Sequence, residues 1–574
     1  MIEHPDQWGN VLFHISSCLR GVAMKRMAAL VALGLFVSGV SPASVAKAKG
    51  ESSRVRWVAC HAEFGPGFDC ASVEVPLDYS RPRGEKISLA LVRLRASGPQ
   101  RKVGSIFLNP GGPGGSGVDF VLGLGPFLFS NDVRAQFDLV GFDPRGIIAS
   151  DPLLCFRTLD EAFTVVPPFA FPTTGAEEAL VKQLDVKLNR ACQRRGGRIV
   201  DHMATADVAR DLDLLRQAVG DSQLSYAGYS YGSFLGVTYA NMFPNRVRAV
   251  VVDGVLDPIA WTTGRGDEAE TLPFSTRLRS DVGAQATLEQ FFRLCDESGP
   301  DSCAFAGDAS GRFAALAEKL RAAPIEIVDP ATGLSFSLGY ADFIGFTLGN
   351  MYSSFGWPFF AQFLALVEAS ATPAVLGEAL RVSEEATGLT VRRHPRQSYP
   401  NFVEGFPGVA CSDSVNPDDH HYWSQAGAAA DAQFGYFGRI WTWASSPCAV
   451  WQGSDADRYL GPFNRSTANP VLVVGNRYDP ATRYEGAVLV NQLLPKSSLL
   501  TVEGWGHTSL FLSTCADQAV SQYLLDGTTP PVGTVCNQDF GPFQTVAARS
   551  TNGLAQRAQA RAEAMSQIAL FPGR

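Results

Sequence analysis

The chain has 574 residues, of which 46% are hydrophobic and 10% aromatic, so it holds enough apolar side chains for a sizeable core and is not mainly disordered. Its 48 basic and 56 acidic residues give a net charge of −8, and the basic field expected of a nucleic-acid-binding protein is missing. At about 150 residues per domain, this length fits three or four units or one large α/β domain with an insertion.

The N-terminal part of the chain has the pattern of a secretory leader. An apolar run at residues 27–40 follows two basic residues and ends in small residues that permit cleavage after Ala46. Met24 is the expected start, which makes residues 1–23 an extension. The run is too short to span a membrane comfortably. We therefore expect loss of residues 1–46 and export of a protein without a membrane span, to a periplasm or the medium.

The cysteines support the same compartment. Ten remain after the leader, an even number that suits disulfide formation outside the cytoplasm. Their spacing contains no CxxC pair or Cys/His pattern of a zinc site, so no metal is expected. Pairing of neighbours closes the shortest loops and is our hypothesis, with free buried thiols as the alternative for the longest pairs. The pairs are Cys60 with Cys70, Cys155 with Cys192, Cys295 with Cys303, Cys411 with Cys448 and Cys515 with Cys536.

Short apolar runs, each closed by glycine or a polar turn, predict the buried strands of a sheet. A hairpin at residues 72–96 precedes them, and a helical pattern covers Thr205–Val219 between two of them. Strands that alternate with helices predict an α/β fold with a mostly parallel sheet and helices on both faces. The runs are Val103–Leu108, Phe137–Phe142, Leu224–Ala227, Val247–Val252, Val471–Val474 and Leu499–Val502.

The alternation stops over residues 258–465, which are rich in aromatic residues and alanine. Helical spacing is visible there in Gln285–Cys295 and Gly311–Leu320, and no strand–helix repeat is present. We interpret this segment as an inserted, mainly helical cap over the sheet. The predicted organisation is a leader at 1–46, the first part of the core at 47–257, the cap at 258–465, the second part of the core at 466–545, and an exposed Ala/Arg-rich helix or frayed tail at 546–574.

A G-x-S-x-G pentapeptide at Gly228–Gly232 follows one predicted strand and precedes a helical pattern. At such a turn the central serine, here Ser230, is held in a strained backbone conformation as an exposed nucleophile. Glycines are needed on either side because other side chains would collide with neighbouring elements. The pentapeptide also occurs by chance, so its place between strand and helix carries the interpretation.

A glycine-rich segment, Asn109–Gly117, follows the first buried strand, where this kind of fold places an oxyanion-binding loop. Glycines allow the backbone to approach a developing oxyanion and to point N–H groups at it. The expected donors are the N–H groups of Gly112 and Tyr231. A plain glycine turn is the alternative, and a phosphate cradle ranks last because the Gly-Lys-Ser/Thr ending is missing.

The remaining members of a catalytic triad are expected downstream, in the order serine, acid, histidine. His507 is the histidine that follows a predicted buried strand, and Asp479 closes the strand before it. The interval between them accommodates one helix and one strand. The alternatives are a surface turn for His507 and a simple Asp-Pro turn for Asp479.

Several segments together carry a family resemblance. They are Val75–Tyr79, Asn109–Gly115, Asp143–Gly146, Asp211–Arg216, Gly228–Gly232, Asp479 and the run from Gly506 to Cys536. The chain resembles the exported tripeptidyl-aminopeptidase branch of the α/β-hydrolases, which is related to prolyl aminopeptidases, including its C-terminal TAP-like module, over about residues 57–545. One departure is Ile147-Ile148, where the family continues Asp-Pro-Arg-Gly with x-Gly, which concerns the local shape of that loop.

The resemblance implies a serine exopeptidase that cleaves short peptides from a free N-terminus through an acyl-enzyme, without metal or organic cofactor. Such an enzyme needs a carboxylate in the cap to bind the substrate ammonium. Each candidate is otherwise an ordinary surface acid. The candidates are Glu404, Glu268, Glu270, Asp267 and Asp413.

Two other functions stay open at this point. A carboxylesterase acting on acyl or aryl esters would use the same triad, and a non-catalytic binding protein would keep the fold without the reaction. The filled triad positions argue against the second. The aromatic segment Met351–Phe360 is interpreted as core rather than as an acyl pocket.

Overall fold

The computed structural model describes residues 55–387, 399–454, 456–544 and Arg561. The predicted leader with Met24 and Ala46 lies outside the described residues, as does the predicted tail at 546–574 apart from Arg561. That arginine is fully buried, which differs at this residue from the expected exposed tail.

A ten-stranded sheet forms the centre of the described chain, in the spatial order β1-β2-β3-β5-β4-β6-β7-β10-β11-β12. From β5 to β12 all neighbours are parallel, while β1, β2 and β3 extend one edge with antiparallel pairs. Two further strands, β8 and β9, form a separate two-stranded sheet. The strands of the described residues are β1 Val58–Ala59, β2 Phe68–Pro76, β3 Lys86–Leu94, β4 Gly104–Asn109, β5 Phe137–Phe142, β6 Leu224–Tyr229, β7 Val247–Asp253, β8 Ile325–Val328, β9 Ser335–Leu338, β10 Val471–Tyr478, β11 Ser497–Trp505 and β12 Val535–Asn537.

Helices connect the strands and cover the sheet. They are α1 Gly117–Leu124, α2 Asn131–Gln136, α3 Leu159–Phe163, α4 Gly175–Arg195, α5 Thr205–Val219, α6 Tyr231–Met242, α7 Pro258–Thr262, α8 Glu268–Thr271, α9 Phe274–Arg277, α10 Ser280–Ser298, α11 Ala309–Ala322, α12 Tyr340–Met351, α13 Trp357–Glu368, α14 Pro373–Thr387, α15 Phe402–Asp413, α16 His421–Phe434, α17 Gly438–Trp443, α18 Tyr484–Leu493 and α19 Thr514–Asp526.

The alternation of side chains along the strands divides the core between the two faces of the sheet. In β4, Ile106 and Leu108 belong to one apolar cluster and Phe107 to the other. Both clusters are fully buried because helices cover both faces, as the continuous apolar runs predict. The predicted α/β class with a mostly parallel sheet is therefore confirmed, and the predictions for β5 and α5 match at both ends.

Between β7 and β10 the chain leaves the sheet and returns beside the strand that it left. The described part of the intervening segment contains helices α7 to α17 and an antiparallel hairpin, β8–β9, which the sequence pattern does not predict. A mainly helical insertion at this place agrees with the predicted cap. Its limits at 258 and 465 stay a prediction.

Three of the family segments meet at Arg145, in the loop after β5. Its guanidinium donates to both carboxylate oxygens of Asp211, at 2.7 Å each, and to Asp207 at 3.2 Å, both on α5. It also donates to the carbonyls of Pro76 and Leu77 at the end of β2. A buried charge needs such partners. These segments therefore hold the sheet edge to α5 rather than forming the site of chemistry.

The loop after Arg145 carries the departure from the family pattern. Ile148 has a left-handed φ of 47°, and its N–H donates to Asn401 Oδ1 at 3.0 Å. Asn401 also donates to the carbonyls of Gly146 and Leu153. One buried cap side chain thus supports this loop, so the two isoleucines are accommodated by contact with the cap.

All five neighbour pairings of the cysteines are confirmed as disulfides. Within the described residues, the one group of potential metal ligands is Cys60, His61 and Cys70, and both of its sulfur atoms belong to the first disulfide. Across those same parts of the chain, no helix combines the length and hydrophobicity needed to cross a membrane.

Candidate active site

Ser230 stands between the end of β6 and the start of α6. Its φ of 57° and ψ of −127° lie in a region that side-chain-bearing residues rarely adopt, the strained turn expected of a nucleophile elbow. Its N–H donates to the carbonyl of Asp253 at 2.9 Å, and the residue is 9% exposed. The turn therefore presents the hydroxyl at the carboxyl end of the parallel strands, where functional sites of such sheets form.

The two glycines of the pentapeptide are required by close packing. A Cβ on Gly232 would stand 2.6 Å from the carbonyl oxygen of Asn109, and one on Gly228 would stand 2.5 Å from the hydroxyl of Tyr226. Tyr226 in turn donates to the carbonyl of Gly232 at 2.8 Å. The elbow is therefore clamped between the strand end at Asn109 and a buried tyrosine.

The glycine-rich segment after β4 lies directly against the elbow. Gly111 has a φ of 103°, and a Cβ there would stand 2.9 Å from both Ser230 Cβ and the nitrogen of Tyr231. Its own N–H donates to Asn109 Oδ1 at 3.0 Å. Because that bond occupies the N–H of Gly111, the predicted donor of this loop stays the N–H of the next residue, Gly112.

Tyr231 supplies the second predicted donor from the first residue of α6. Its N–H is one of the groups at a helix N-terminus that have no partner inside the helix, and the helix dipole favours negative charge there. The side chain is fixed elsewhere: its hydroxyl bonds to Thr205 Oγ1, and its ring packs 5.7 Å from that of Trp261. The backbone donor is thereby held in place by a buried side chain.

His507 and Asp479 are joined in the structure. Nδ1 of His507 is 2.9 Å and 3.0 Å from the two carboxylate oxygens of Asp479, and both residues are 1% exposed. An ionised carboxylate at Nδ1 places the ring proton there, which leaves the Nε2 lone pair free to accept a proton. The predicted pair therefore has the geometry of a base and its orienting acid.

Asp479 is held as a carboxylate. Burial alone would raise its pKa, but attraction to His507 and the surrounding hydrogen bonds lower the pKa below its ordinary value. The backbone N–H groups of Ala481, Thr482 and Thr508 donate to it at 2.8 to 3.0 Å. The acid is thus ionised and rigid before any substrate arrives.

The end of β7 connects the serine to the histidine loop. Asp253 accepts the N–H of Ser230 on its carbonyl and the N–H and hydroxyl of Ser509 on its carboxylate, at 2.7 to 3.0 Å. A Cβ on the next residue, Gly254, would stand 3.4 Å from Cε1 of His507. Serine and imidazole therefore border the same two residues, Asp253 and Gly254.

Two further residues of this region have no signal in the sequence motifs. Thr482 donates its hydroxyl to Asp479 Oδ2 at 2.9 Å and lies 3.3 Å from His507 Nδ1. Tyr352, from the segment interpreted as core, accepts the backbone N–H of His507 on its carbonyl at 2.9 Å, and its ring packs edge-on to the imidazole at 5.2 Å. The short interval from Asp479 could have suggested Thr482. The position of Tyr352, in contrast, depends on the tertiary arrangement of segments that are distant in the sequence.

The predicted ammonium-binding acids are scattered. Asp413 is buried and bonded to Thr205 and to Trp261 Nε1, and Asp267 and Glu270 are exposed. Glu268 is partly exposed and accepts the Arg265 N–H at 2.7 Å. None of these acids hydrogen-bonds to Ser230, Asp479 or His507 within the described residues.

Glu404 is different because it lies wholly inside the protein, on α15. Oε1 accepts the Cys155 N–H at 3.0 Å and the hydroxyl of Tyr399, while Oε2 is buried without a partner among the described residues. Burial raises the pKa of this carboxyl. It is therefore no surface acid, and its role as an amine ligand stays a prediction.

Comparison with known proteins agrees with this geometry. Residues 104–292 match the family model described as alpha/beta hydrolase fold, and residues 432–536 match the one described as TAP-like protein. Serine protease Hip1 from Mycobacterium tuberculosis is 32% identical over 508 residues, which cover 84% of this chain and 91% of that protein. The chain belongs to the tripeptidyl-aminopeptidase branch of the α/β-hydrolases.

Two further relatives show similar identity. Tripeptidyl aminopeptidase from Streptomyces lividans is 29% identical over 86% of this chain and 88% of its own length. Carboxylesterase B from Mycobacterium tuberculosis is 34% identical over 81% of this chain and 86% of its own length. The resemblance inferred from the sequence motifs is thereby confirmed.

Proposed function

We propose that the protein is a serine aminopeptidase that releases short peptides from the free N-terminus of peptide substrates. The observation that carries the proposal is the buried His507–Asp479 pair beside the elbow that presents Ser230. The names of two relatives, tripeptidyl aminopeptidase and serine protease Hip1, support peptides as substrates.

In the proposed mechanism Ser230 Oγ attacks the scissile carbonyl while Nε2 of His507 takes its proton. Asp479 stabilises the imidazolium that results, and the N–H groups of Gly112 and Tyr231 donate to the tetrahedral oxyanion. The imidazolium then gives its proton to the leaving amine, and an acyl-enzyme remains on Ser230. Water, deprotonated by the same nitrogen, hydrolyses the ester and restores the serine.

A peptide pair of identical sequence, one with a free N-terminus and one N-acetylated, tests the proposal. We expect cleavage of the free peptide, rates at least about ten-fold lower for the acetylated one, and loss of both in Ser230→Ala. A fluorophosphonate should label the wild-type protein at Ser230. Equal rates for the two peptides would contradict an aminopeptidase, and absence of labelling in folded protein would contradict a serine hydrolase.

A carboxylesterase is the second candidate, and the relative named Carboxylesterase B favours it. Both candidate enzymes would use the same triad, so they differ in whether the substrate is an ester or a peptide. If simple acyl esters are hydrolysed by a Ser230-dependent activity while neither peptide of the pair is cleaved, the esterase assignment replaces the peptidase.

The acid that binds the substrate amine can be assigned in the same assay. Glu404, Glu268 and Glu270 are the candidates, and a glutamine at the correct position should raise KM for the free peptide without changing the esterase rate. An equal effect on free and acetylated peptides would indicate a structural role.

Five disulfides also support action outside the cytoplasm, because disulfides persist in oxidising compartments. We therefore place the proposed activity in a periplasm or in the medium.

A further inference from the structure

Arg561 lies beyond the segment that matches the TAP-like model and is fully buried behind the loop that carries His507. One arm of its guanidinium, Nη1, donates to the carbonyls of Leu510 at 2.7 Å and Thr508 at 3.2 Å. The other arm, Nη2, donates to the carbonyls of His507 and, at 3.3 Å, Tyr352. A single side chain thus joins the histidine loop to the cap.

The loop needs such support because its own backbone is strained. Thr508 and Phe511 have φ values of 61° and 59°, in the left-handed region that costs about 1 to 2 kcal/mol for a residue other than glycine. Thr508 is β-branched, which makes this conformation less favourable still. The loop borders His507 directly, so relaxation of this strain would move the imidazole.

The surroundings of Arg561 are acidic. The carboxylates of Asp253, Asp479 and Asp517 all attract its charge, and burial lowers its pKa to about 10, which leaves it a cation at neutral pH. Among the described residues, the charged and titratable groups that contact His507 or act on Arg561 include Asp479 at the end of β10, Asp253 at the end of β7, Asp517 on α19 and Tyr352 after α12.

We propose that Arg561 is a positioning residue of the active site, whose guanidinium fixes the His507 loop against the cap and thereby holds the imidazole between Asp479 and Ser230. The inference rests on the proposed function, since it assigns His507 the role of general base. It also gives Arg561, which lies beyond the TAP-like segment, a part in positioning the base.

Full-length Arg561→Gln and Arg561→Lys variants test this inference against a matched control. Arg248→Gln is the control, because Arg248 also donates to backbone carbonyls, those of Leu524 and Leu525, but near the opposite end of β7. Each variant is compared with the wild type in kcat, KM, pH profile, fluorophosphonate labelling rate and Tm, with kinetics measured well below the lowest Tm.

We expect Arg561→Gln to lower kcat and the labelling rate about 10²-fold while KM stays within about two-fold. Loss of the cation also favours the imidazolium, so the acid limb of the kcat/KM profile should move to higher pH. Arg561→Lys keeps the positive charge but not the planar guanidinium with its two donating arms. Its kcat should therefore fall less than that of Arg561→Gln, and the acid limb should not move. Arg248→Gln should lower Tm alone.

Two results would overturn the inference. If Arg561→Gln changes Tm but leaves kcat, the labelling rate and the acid limb as in Arg248→Gln, Arg561 is merely structural. If the wild-type protein itself is not labelled at Ser230, the proposed function fails and this inference fails with it. If the wild type is labelled at Ser230 and Arg561→Gln is labelled at the same rate, only the role of Arg561 is overturned.

Discussion

The serine side and the histidine side of the site are built in different ways. Ser230 is placed by a contiguous strand, turn and helix, and its neighbours are largely glycines and backbone groups of the segment after β4. This side of the site requires the absence of side-chain atoms, since a single Cβ at Gly111 would stand too close to Ser230.

The histidine side is assembled from four separate parts of the chain. They contain Asp479 and Thr482, Asp253, Tyr352, and Arg561, which all contact His507 or its loop through hydrogen bonds. What matters there is the direction of donors and acceptors around one ring. The comparison teaches that the nucleophile is fixed by shape and the base by electrostatics, so steric and charge-removing substitutions should separate the two sides.

The largest effect is expected from Asp479→Asn. An amide can donate to Nδ1, which favours the wrong tautomer of His507, and it cannot stabilise the imidazolium, so kcat should fall about 10⁴-fold. Single-turnover kinetics with the free peptide and circular dichroism provide the measurement.

Asp253→Asn is the control for this substitution. It removes the other buried carboxylate beside the loop, which bonds to Ser509 rather than to the imidazole. If both variants lose the same activity, the two carboxylates share the role and the assignment of Asp479 alone is wrong.

A steric test comes from Gly111→Ala. The added Cβ would stand 2.9 Å from Ser230 Cβ and from the Tyr231 nitrogen, so the oxyanion loop must shift, and we expect kcat to fall about 10²- to 10³-fold. The fluorophosphonate labelling rate should fall in parallel.

Gly220→Ala is the control for this substitution, because Gly220 and Gly111 have similar backbone conformations. Gly220 closes α5 at a φ of 94°, close to the 103° of Gly111, but a Cβ there meets no atom within 4 Å. It should cost about 1 to 2 kcal/mol of stability and leave kcat unchanged. Loss of activity in Gly220→Ala would mean that destabilisation alone explains the result at Gly111.

The same contrast explains what the sequence could predict. The elbow, the glycine loop and the positions of Asp479 and His507 after predicted strands all follow from local patterns, because each is coded by consecutive residues. Neighbour pairing of the cysteines succeeded for a similar reason, since short loops favour it.

Local patterns could not predict Tyr352, Arg561 or the burial of Glu404. Each depends on a segment of the insertion or of the C-terminal region reaching a particular atom elsewhere in the fold. Tyr352 lies in the core, as predicted for its segment, but its contact with His507 has no sequence signal because an aromatic run has the same composition in a core and beside a site. Only the tertiary arrangement distinguishes them.

A smaller effect distinguishes the two sides by pH. Asp143, at the end of β5, supports the glycine loop by accepting the Ser116 hydroxyl at 2.6 Å and the Val118 N–H at 3.2 Å. Burial and the nearby Asp119 raise its pKa to about 6 from an ordinary value of 3.8, whereas the pKa of the equally buried Asp479 is lowered. The two carboxyls should therefore respond to pH in opposite directions.

For Asp143 the raised pKa means that the folded protein prefers the neutral acid. Its contribution to stability is complete below about pH 4 and is lost as the pH rises through 6, by up to about 3 kcal/mol. Asp143→Asn does not titrate. The free energy of unfolding of this variant, relative to that of the wild type, should therefore increase between pH 4 and pH 7, as measured by urea unfolding at both pH values.

Asp119→Asn is a second variant that should show part of the same increase, because one cause of the raised pKa of Asp143 is gone. If the free energies of unfolding of the wild type and Asp143→Asn instead differ by the same amount at both pH values, the Asp143 carboxyl is ionised throughout this range. The glycine loop would then be held by a charged carboxylate, as His507 is held by Asp479.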